Sequence, residues 1–115
     1  MAATPIPERT KDCIDACNDC VTACEACATQ CISQAQQAMV DCIKLCLDCS
    51  ELCATCVPLL ARDSRYYAEL CRLCADACDA CAAECDKYDD DYMRQCAEAC
   101  RRAAESCRQM ASASA

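Results

Sequence analysis

The chain has 115 residues and a formal charge of −8, because 19 acidic side chains outnumber 11 basic ones. This length is typical of a single domain. An acidic surface is repelled by phosphate backbones, which argues against nucleic acid as a partner. The composition is unusual, with 19 cysteines and no Gly, His, Trp or Phe.

The N-terminal stretch MAATPIPERTKDC carries no basic segment followed by an apolar run, so no secretory signal is expected. No stretch approaches the roughly 20 consecutive apolar residues that a transmembrane helix needs. We therefore expect a cytoplasmic protein without a membrane partner. In that compartment cysteines more often bind metal or act as redox groups than form structural disulfides.

The first predicted helix covers roughly residues 8–34, where six cysteines recur at alternating gaps of four and three. This alternation averages about 3.5 residues, the period of the inward-facing seam of a left-handed helical bundle. No segment of the chain shows the period of two that a strand requires. The cysteines of this helix are Cys13, Cys17, Cys20, Cys24, Cys27 and Cys31.

The second and third predicted helices cover roughly 38–58 and 64–87, and both continue the same spacing. Pro58 is expected to end the second helix, since proline disrupts a helix interior. The cysteines of the second helix are Cys42, Cys46, Cys49, Cys53 and Cys56, and those of the third are Cys71, Cys74, Cys78, Cys81 and Cys85.

The fourth predicted helix covers roughly 90–110 and contains Cys96, Cys100 and Cys107. Ala103 occupies the seam position at which the next cysteine would fall. Residues 111–115 are predicted to form a frayed tail. Because the connections are short, neighbouring helices should be antiparallel. The sequence thus predicts one all-α domain over residues 1–115, an antiparallel up-down-up-down four-helix bundle with a cysteine-lined core.

Four uses of the thiols can be weighed. A purely structural core of thiols would be poorly filled, because Cys is much smaller than Leu. Disulfides are disfavoured by the odd count and by helix axes about 8–10 Å apart. Six CxxC pairs suggest thiol redox chemistry, but the pairs lie in mid-helix on the inner face. Metal binding remains the favoured use.

The charge of the site favours Cu(I) among the metals. Four thiolates around Zn²⁺ leave a net charge of −2 buried at each site, which is costly. One Cu(I) for each thiolate leaves no net charge, and Cu(I) prefers soft sulfur ligands. Eight CxxxC pairs place two thiols on one helix face, where they could share an ion. We therefore expect multiple Cu(I) ions, roughly one per Cys, with a metallothionein-like Zn²⁺ or Cd²⁺ buffer and a thiol redox protein as alternatives.

The two ends of the predicted bundle differ. Met39 and Met93 extend the seam outward by three residues at the end where the second and fourth helices begin. Thioethers are neutral Cu(I) ligands, so we predict that these two methionines are additional metal ligands at a copper entrance. At the opposite end the seam reaches Leu60, Tyr67 and Met110, which predicts an apolar plug.

The chain resembles the cytosolic copper storage proteins, which are cysteine-rich four-helix bundles. The resemblance covers about residues 8–110 and rests on CIKLCLDCSELC (42–53), ELCRLCADACDACAAEC (69–85) and CAEACRRAAESCRQM (96–110). It implies storage or detoxification of Cu(I), mainly through CxxxC pairs, with no enzymatic turnover and with assembly into a homo-tetramer. Members of this group usually carry histidines near one mouth of the bundle, and this chain has none.

Overall fold

The computed structural model describes residues 5–113, which form four α-helices and contain no strand. A single turn of 3-10 helix at Gln37–Met39 precedes the second helix. The α-helices are α1 Glu8–Gln34, α2 Val40–Ala61, α3 Tyr67–Cys85 and α4 Asp91–Ala113. None of them combines the length and apolar character needed to cross a membrane. The predicted all-α fold is confirmed.

Contacts between the helices establish an antiparallel bundle. Each helix packs against the next one along the chain, and α4 closes the ring against α1. Near the start of α1, Cys13 meets Cys107 at the end of α4, whereas Cys24 meets Cys96 near the start of α4. Such reversed pairings follow from short connections, which force each helix back along its predecessor.

Two connections use left-handed backbone conformations without glycine. Ala35 ends α1 with φ 51° and ψ 36°, and its N–H donates to the carbonyl of Ile32. Asp63, between α2 and α3, also has φ 51°. A non-glycine residue in this region costs roughly 1–2 kcal/mol. Because the chain lacks Gly, Ala and Asp take these turn positions.

The sequence predicted that Pro58 ends α2, and this was wrong. Pro58 lies within the helix, which continues to Ala61. Proline lacks an N–H, so the carbonyl of Ala54 loses its intrahelical donor. Ala54 is exposed, which leaves that carbonyl open to water. The continued turn places Leu60 in the core, where it is 3% exposed.

Other helix ends also differ from the predicted ones. α3 is shorter at both ends, and the N–H of Tyr66 donates to the Ser64 hydroxyl at 3.1 Å in the turn before it. The predicted frayed tail was wrong for residues 111–113, because α4 runs to Ala113 and Ala111 is 4% exposed. Burial of Ala111 stabilises this last turn. Residues 114 and 115 of the predicted tail lie outside the described residues.

Exposed ion pairs connect α4 to its neighbours. Arg102 pairs with Asp19 of α1, and Arg108 pairs with Asp79 of α3. Exposed pairs of this kind each contribute only about 0–1 kcal/mol. The stability of the bundle therefore depends mainly on its buried core, which consists chiefly of Cys and Ala with Met39, Leu60, Met93 and Met110 at the ends.

Leu60 is the one leucine in the buried core of residues 5–113. We therefore expect its truncation to destabilise the fold more than truncation of an exposed leucine. We expect Leu60→Ala to lower the free energy of unfolding of the reduced, metal-free chain by about 2–5 kcal/mol. Leu47→Ala is the matched control on the same helix, because Leu47 is 40% exposed. Urea unfolding followed by circular dichroism measures both values, and equal effects would contradict this description of the core.

Candidate metal centre

Every cysteine of the chain lies in the interior. All nineteen are free thiols, and each is at most 1% exposed. The three-and-four spacing places successive cysteines on one face of a helix, and the bundle turns that face inward. Four cysteine stripes therefore converge on one axis, as the sequence predicted.

Thiols one helical turn apart approach within contact distance. Three of the CxxxC pairs have Sγ–Sγ distances of 3.8 Å (Cys20 and Cys24), 3.9 Å (Cys74 and Cys78) and 4.0 Å (Cys96 and Cys100). A metal ion about 2.3 Å from each of two sulfurs spans up to roughly 4.6 Å. These pairs therefore need only a small outward adjustment to hold an ion.

Cross-helix contacts are even shorter, which sequence spacing could not show. Cys49 on α2 lies 3.2 Å from Cys78 on α3, and Cys53 lies 3.4 Å from Cys74, both measured between Sγ atoms. On the other side, Cys49 is 3.5 Å from Cys20 of α1. Helix packing therefore creates pairs of thiols between helices that are at least as close as the CxxxC pairs on which the prediction mainly rested.

The thiols also form groups of four in which all Sγ atoms lie within 4.8 Å of one another. Of the five groups named below, two take one cysteine from each helix, and several share members such as Cys20, Cys24, Cys49, Cys96 and Cys100. Shared ligands prevent every group from being a separate tetrahedral site, so a filled core requires bridging sulfurs. The groups include Cys17/Cys56/Cys74/Cys107, Cys20/Cys24/Cys49/Cys100, Cys20/Cys49/Cys53/Cys78, Cys24/Cys81/Cys96/Cys100 and Cys27/Cys46/Cys85/Cys96.

Hydrogen bonds between the thiols and their burial together control protonation, and they raise the pKa of some thiols and lower that of others. Burial, followed by the charge of Cys42, raises the pKa of Cys31 to about 11. Hydrogen bonds with Cys100 and Cys20 raise the pKa of Cys24, and burial adds to the effect. Cys81 differs, because hydrogen bonds from Cys100 and Cys24 lower its pKa to about 6. Only a thiolate surrounded by S–H donors is therefore stabilised without a metal.

The core contains no cationic side chain that could neutralise the thiolates. Among residues 5–113, the buried polar side chains are Thr10 and Ser50 alone. A cation that enters must therefore supply the positive charge itself. Since thiolates are the ligands, each binding event also displaces protons from the array.

The two methionines predicted as ligands lie at one end of this array. Met93 is fully buried, and its Sδ accepts hydrogen bonds from Cys27 at 3.5 Å and Cys42 at 3.7 Å. Met39 is 3% exposed and belongs to the same buried cluster. The structure thus brings Met93 into direct contact with the thiols and places Met39 beside them in the core.

Tyrosines cover the same end of the bundle. The Tyr88 hydroxyl donates to the carbonyl of Ala38 at 3.0 Å, and the Gln34 side-chain amide donates to the Tyr92 hydroxyl. Both contacts join the connection before α2 or the end of α1 to the region where α4 begins. These contacts join the helix ends and connections around the thioethers at this end.

Ala103 is fully buried at the seam position between Cys100 and Cys107, as the spacing predicted. Its methyl group leaves the α4 stripe one sulfur short. The array consequently has an internal position where a ligand is replaced by an apolar group of smaller size.

Comparison with known proteins gives a consistent result. The family model described as "Csp: Copper storage protein" matches residues 6–112. No curated protein matches the chain. Several solved structures, in contrast, are similar over almost their whole length.

Copper storage protein 3 of Bacillus subtilis is 43% identical in its apo form, with a TM-score of 0.82 over 89% of this chain and 98% of that one. Its Cu(I)-bound form is also 43% identical, with a TM-score of 0.85 over 90% and 99%. A cytosolic copper storage protein from Streptomyces lividans, described with five coppers, is 31% identical, with a TM-score of 0.84 over 91% and 93%.

The raised pKa of Cys31 predicts a loss of stability in alkaline solution. Its folded value of about 11 exceeds the ordinary value of 9.0, so the folded thiol keeps a proton that the unfolded thiol has lost. The stabilisation is complete below pH 9 and is lost as the pH rises through 11.

Urea unfolding of the reduced, metal-free chain between pH 7.5 and 10.5 measures this loss. Cys31→Ala should show a shallower decline, and it serves as the matched control. A midpoint that rises over this range, or a decline unchanged in the variant, would contradict the prediction.

Proposed function

The chain belongs to the copper storage protein family, and we propose that its nineteen buried cysteines are the ligands for a store of Cu(I) inside the bundle. The observation that supports this assignment is the continuous array of thiols, with Sγ–Sγ contacts of 3.2–4.0 Å. The chain holds multiple Cu(I) ions, and storage or sequestration of copper is its function.

Charge balance explains why Cu(I) fits this interior. Each Cu(I) neutralises one thiolate, so a core with equal numbers of both carries no net charge. Cu(I) also prefers thiolate and thioether sulfur, the ligands that the core provides. Zn²⁺ would retain −2 at each tetrathiolate site, and the buried part of the described chain offers no cation to offset it.

Met39 and Met93 are proposed as transient ligands at a copper entrance. Met93 supports this role because its sulfur contacts both Cys27 and Cys42. A neutral thioether binds Cu(I) without forming a buried charge, and the neighbouring thiols can then take the ion. The exposed acidic run 89–91, close to this end, would attract cations.

Three further properties extend the proposal. The function is binding without turnover, so no residue is assigned a catalytic role. The location is cytoplasmic, which agrees with the description of the Streptomyces lividans relative as cytosolic. The assembly is a homo-tetramer, and Leu47 and Leu73 are candidate contacts because they are 40% and 55% exposed.

Metal titration tests the proposed function. We expect the reduced chain, titrated anaerobically with Cu(I) and analysed by native mass spectrometry, to bind roughly one copper per cysteine. Zn²⁺ should reach only about four or five ions if each takes four thiolates. A limit of one or two coppers would reject storage, and stronger retention of Zn²⁺ than of Cu(I) would favour a metallothionein-like buffer.

Ala103 provides a control for the ligand assignment. Ala103→Cys adds a thiol to the seam and should raise the copper limit by one. Ala103→Ser adds a side chain of similar size without sulfur, and it should leave the limit unchanged. Equal limits for the two variants would contradict the assignment of core sulfurs as the ligands.

The methionine entrance has its own kinetic test. We expect Met39→Leu combined with Met93→Leu to slow initial loading from a labile Cu(I)–acetonitrile complex several-fold, because the transient ligands are lost. The final copper content should stay the same, since all nineteen cysteines remain. Stopped-flow absorbance at substoichiometric copper measures the rate, and an unchanged rate would reject the entrance.

A further inference from the structure

At the end of the bundle opposite Met93, the residues predicted to form a plug are largely buried, and a pocket lies on their outer side. It has a volume of about 580 Å³ and lies where α1 and α3 begin and where α2 and α4 end. Leu60 is buried beside it, as expected of a plug, and Tyr67 is half-buried. Within residues 5–113, no side chain fills the space between these residues and the start of α1. Its lining includes Pro7, Thr10, Leu60, Ala61, Tyr67 and Met110.

A thioether and a hydroxyl lie together at the inner side of this pocket. The Thr10 hydroxyl donates to the Sδ of Met110 at 3.9 Å, and the two residues are 7% and 6% exposed. Met93 and Met39, in contrast, are 0% and 3% exposed. Met110 is therefore slightly more exposed than Met39 and Met93, although all three are buried.

The thiol array begins just inside the residues that line this pocket, although no cysteine lines the pocket itself. Thr10 lies three residues before Cys13 on the inward face of α1. Met110 lies three residues after Cys107 on the inward face of α4. The Sγ atoms of Cys13 and Cys107 are 3.8 Å apart, and Cys17 lies 3.7 Å from Cys107. A copper ion on Met110 would therefore meet a pair of thiols in the next layer.

Charged residues around this pocket differ from those at the Met93 end. Arg9 and Asp63 line the pocket, while Arg62 and Arg65 flank Asp63 in the same exposed connection. The Met93 end instead has the acidic run 89–91. A rim richer in arginine attracts anions, whereas an acidic rim attracts free cations. The two ends are thus suited to copper in different chemical forms.

We propose that the pocket at Thr10 and Met110 is a second Cu(I) port, which exchanges copper with anionic complexes in which two small thiolates hold the ion. This inference rests on the proposed storage function. Cu(I) first contacts the Met110 thioether and then moves to the thiols of Cys13 and Cys107.

The transfer is an exchange of ligands without electron transfer. Two Cu–S bonds to the carrier thiolates break, and two Cu–S bonds to the cysteines form. The cysteines release two protons, which the departing carrier thiolates take up as they become thiols. Copper remains Cu(I), and the net charge of −1 passes from the carrier complex to the protein site, where further Cu(I) neutralises it.

Two variants test the port by different means. Met110→Leu removes the thioether, whereas Ala61→Trp fills the pocket and leaves every sulfur in place. Ala54→Trp is the matched control, because Ala54 is also exposed, lies one heptad earlier on the same face of α2, and does not line the pocket.

The measurement is the initial rate at which the reduced chain takes about two equivalents of Cu(I) from its complex with glutathione, an anionic thiol. We expect Met110→Leu and Ala61→Trp each to slow this transfer at least threefold, while Ala54→Trp transfers at the wild-type rate. Added salt should also slow transfer in the wild-type chain, because it screens the arginines. Circular dichroism confirms that each variant is folded.

Transfer from Cu(I)–acetonitrile provides the comparison donor. It should be slowed less by the two port variants than transfer from the glutathione complex. Wild-type rates in both variants would overturn the port, and equal slowing with both donors would overturn the preference for anionic complexes. The copper limit is measured separately: a normal limit with unaffected rates rejects the port alone, whereas a limit of one or two coppers in the wild-type chain rejects storage itself.

Discussion

A thiolate inside this bundle is stabilised only by neighbouring S–H donors or by a bound cation, and this constraint governs the rest of the structure. Burial raises the pKa of Cys31 to about 11, and the described core contains no basic side chain. Without metal, the interior is a set of small, weakly polar groups in mutual contact. With one monovalent ion for each sulfur, the same interior becomes neutral and filled. Folding, protonation and copper binding are therefore linked through the same nineteen side chains.

Much of the fold followed from residue spacing alone. The alternation from Cys13 to Cys31 predicted an inward stripe on one long helix, and repetition of the pattern predicted four antiparallel helices. Spacing predicted Ala103 as a buried interruption for the same reason. Helix ends were predicted less well, because the usual Gly signals are absent. Ala35 instead adopts φ 51°, and Pro58 is carried within α2 since Leu60 packs into the core beyond it.

The details of the site depended on information that spacing does not contain. The sequence spacing predicts that Cys49 pairs with Cys53 on the same helix. The relative rotation and axial shift of α2 and α3 determine that the Sγ of Cys49 also lies 3.2 Å from the Sγ of Cys78. At the far end, Leu60 and Tyr67 predicted closure, and Leu60 is indeed buried, but nothing in the sequence indicated the pocket on the outer side, where Thr10 lies against Met110. Local sequence cannot specify such a space, because it depends on how four helix termini meet.

The overlap between the four-sulfur groups has a consequence for motion inside the bundle. Cys20 and Cys49 belong together to two groups, and Cys24, Cys96 and Cys100 also connect neighbouring groups. An ion that exchanges one ligand at a time can therefore migrate along the bundle axis while it stays bound to sulfur. The barrier to each step is the rearrangement of one side chain, with no return to water. Copper can then move along the bundle axis, so that an ion need not stay at the position where it entered.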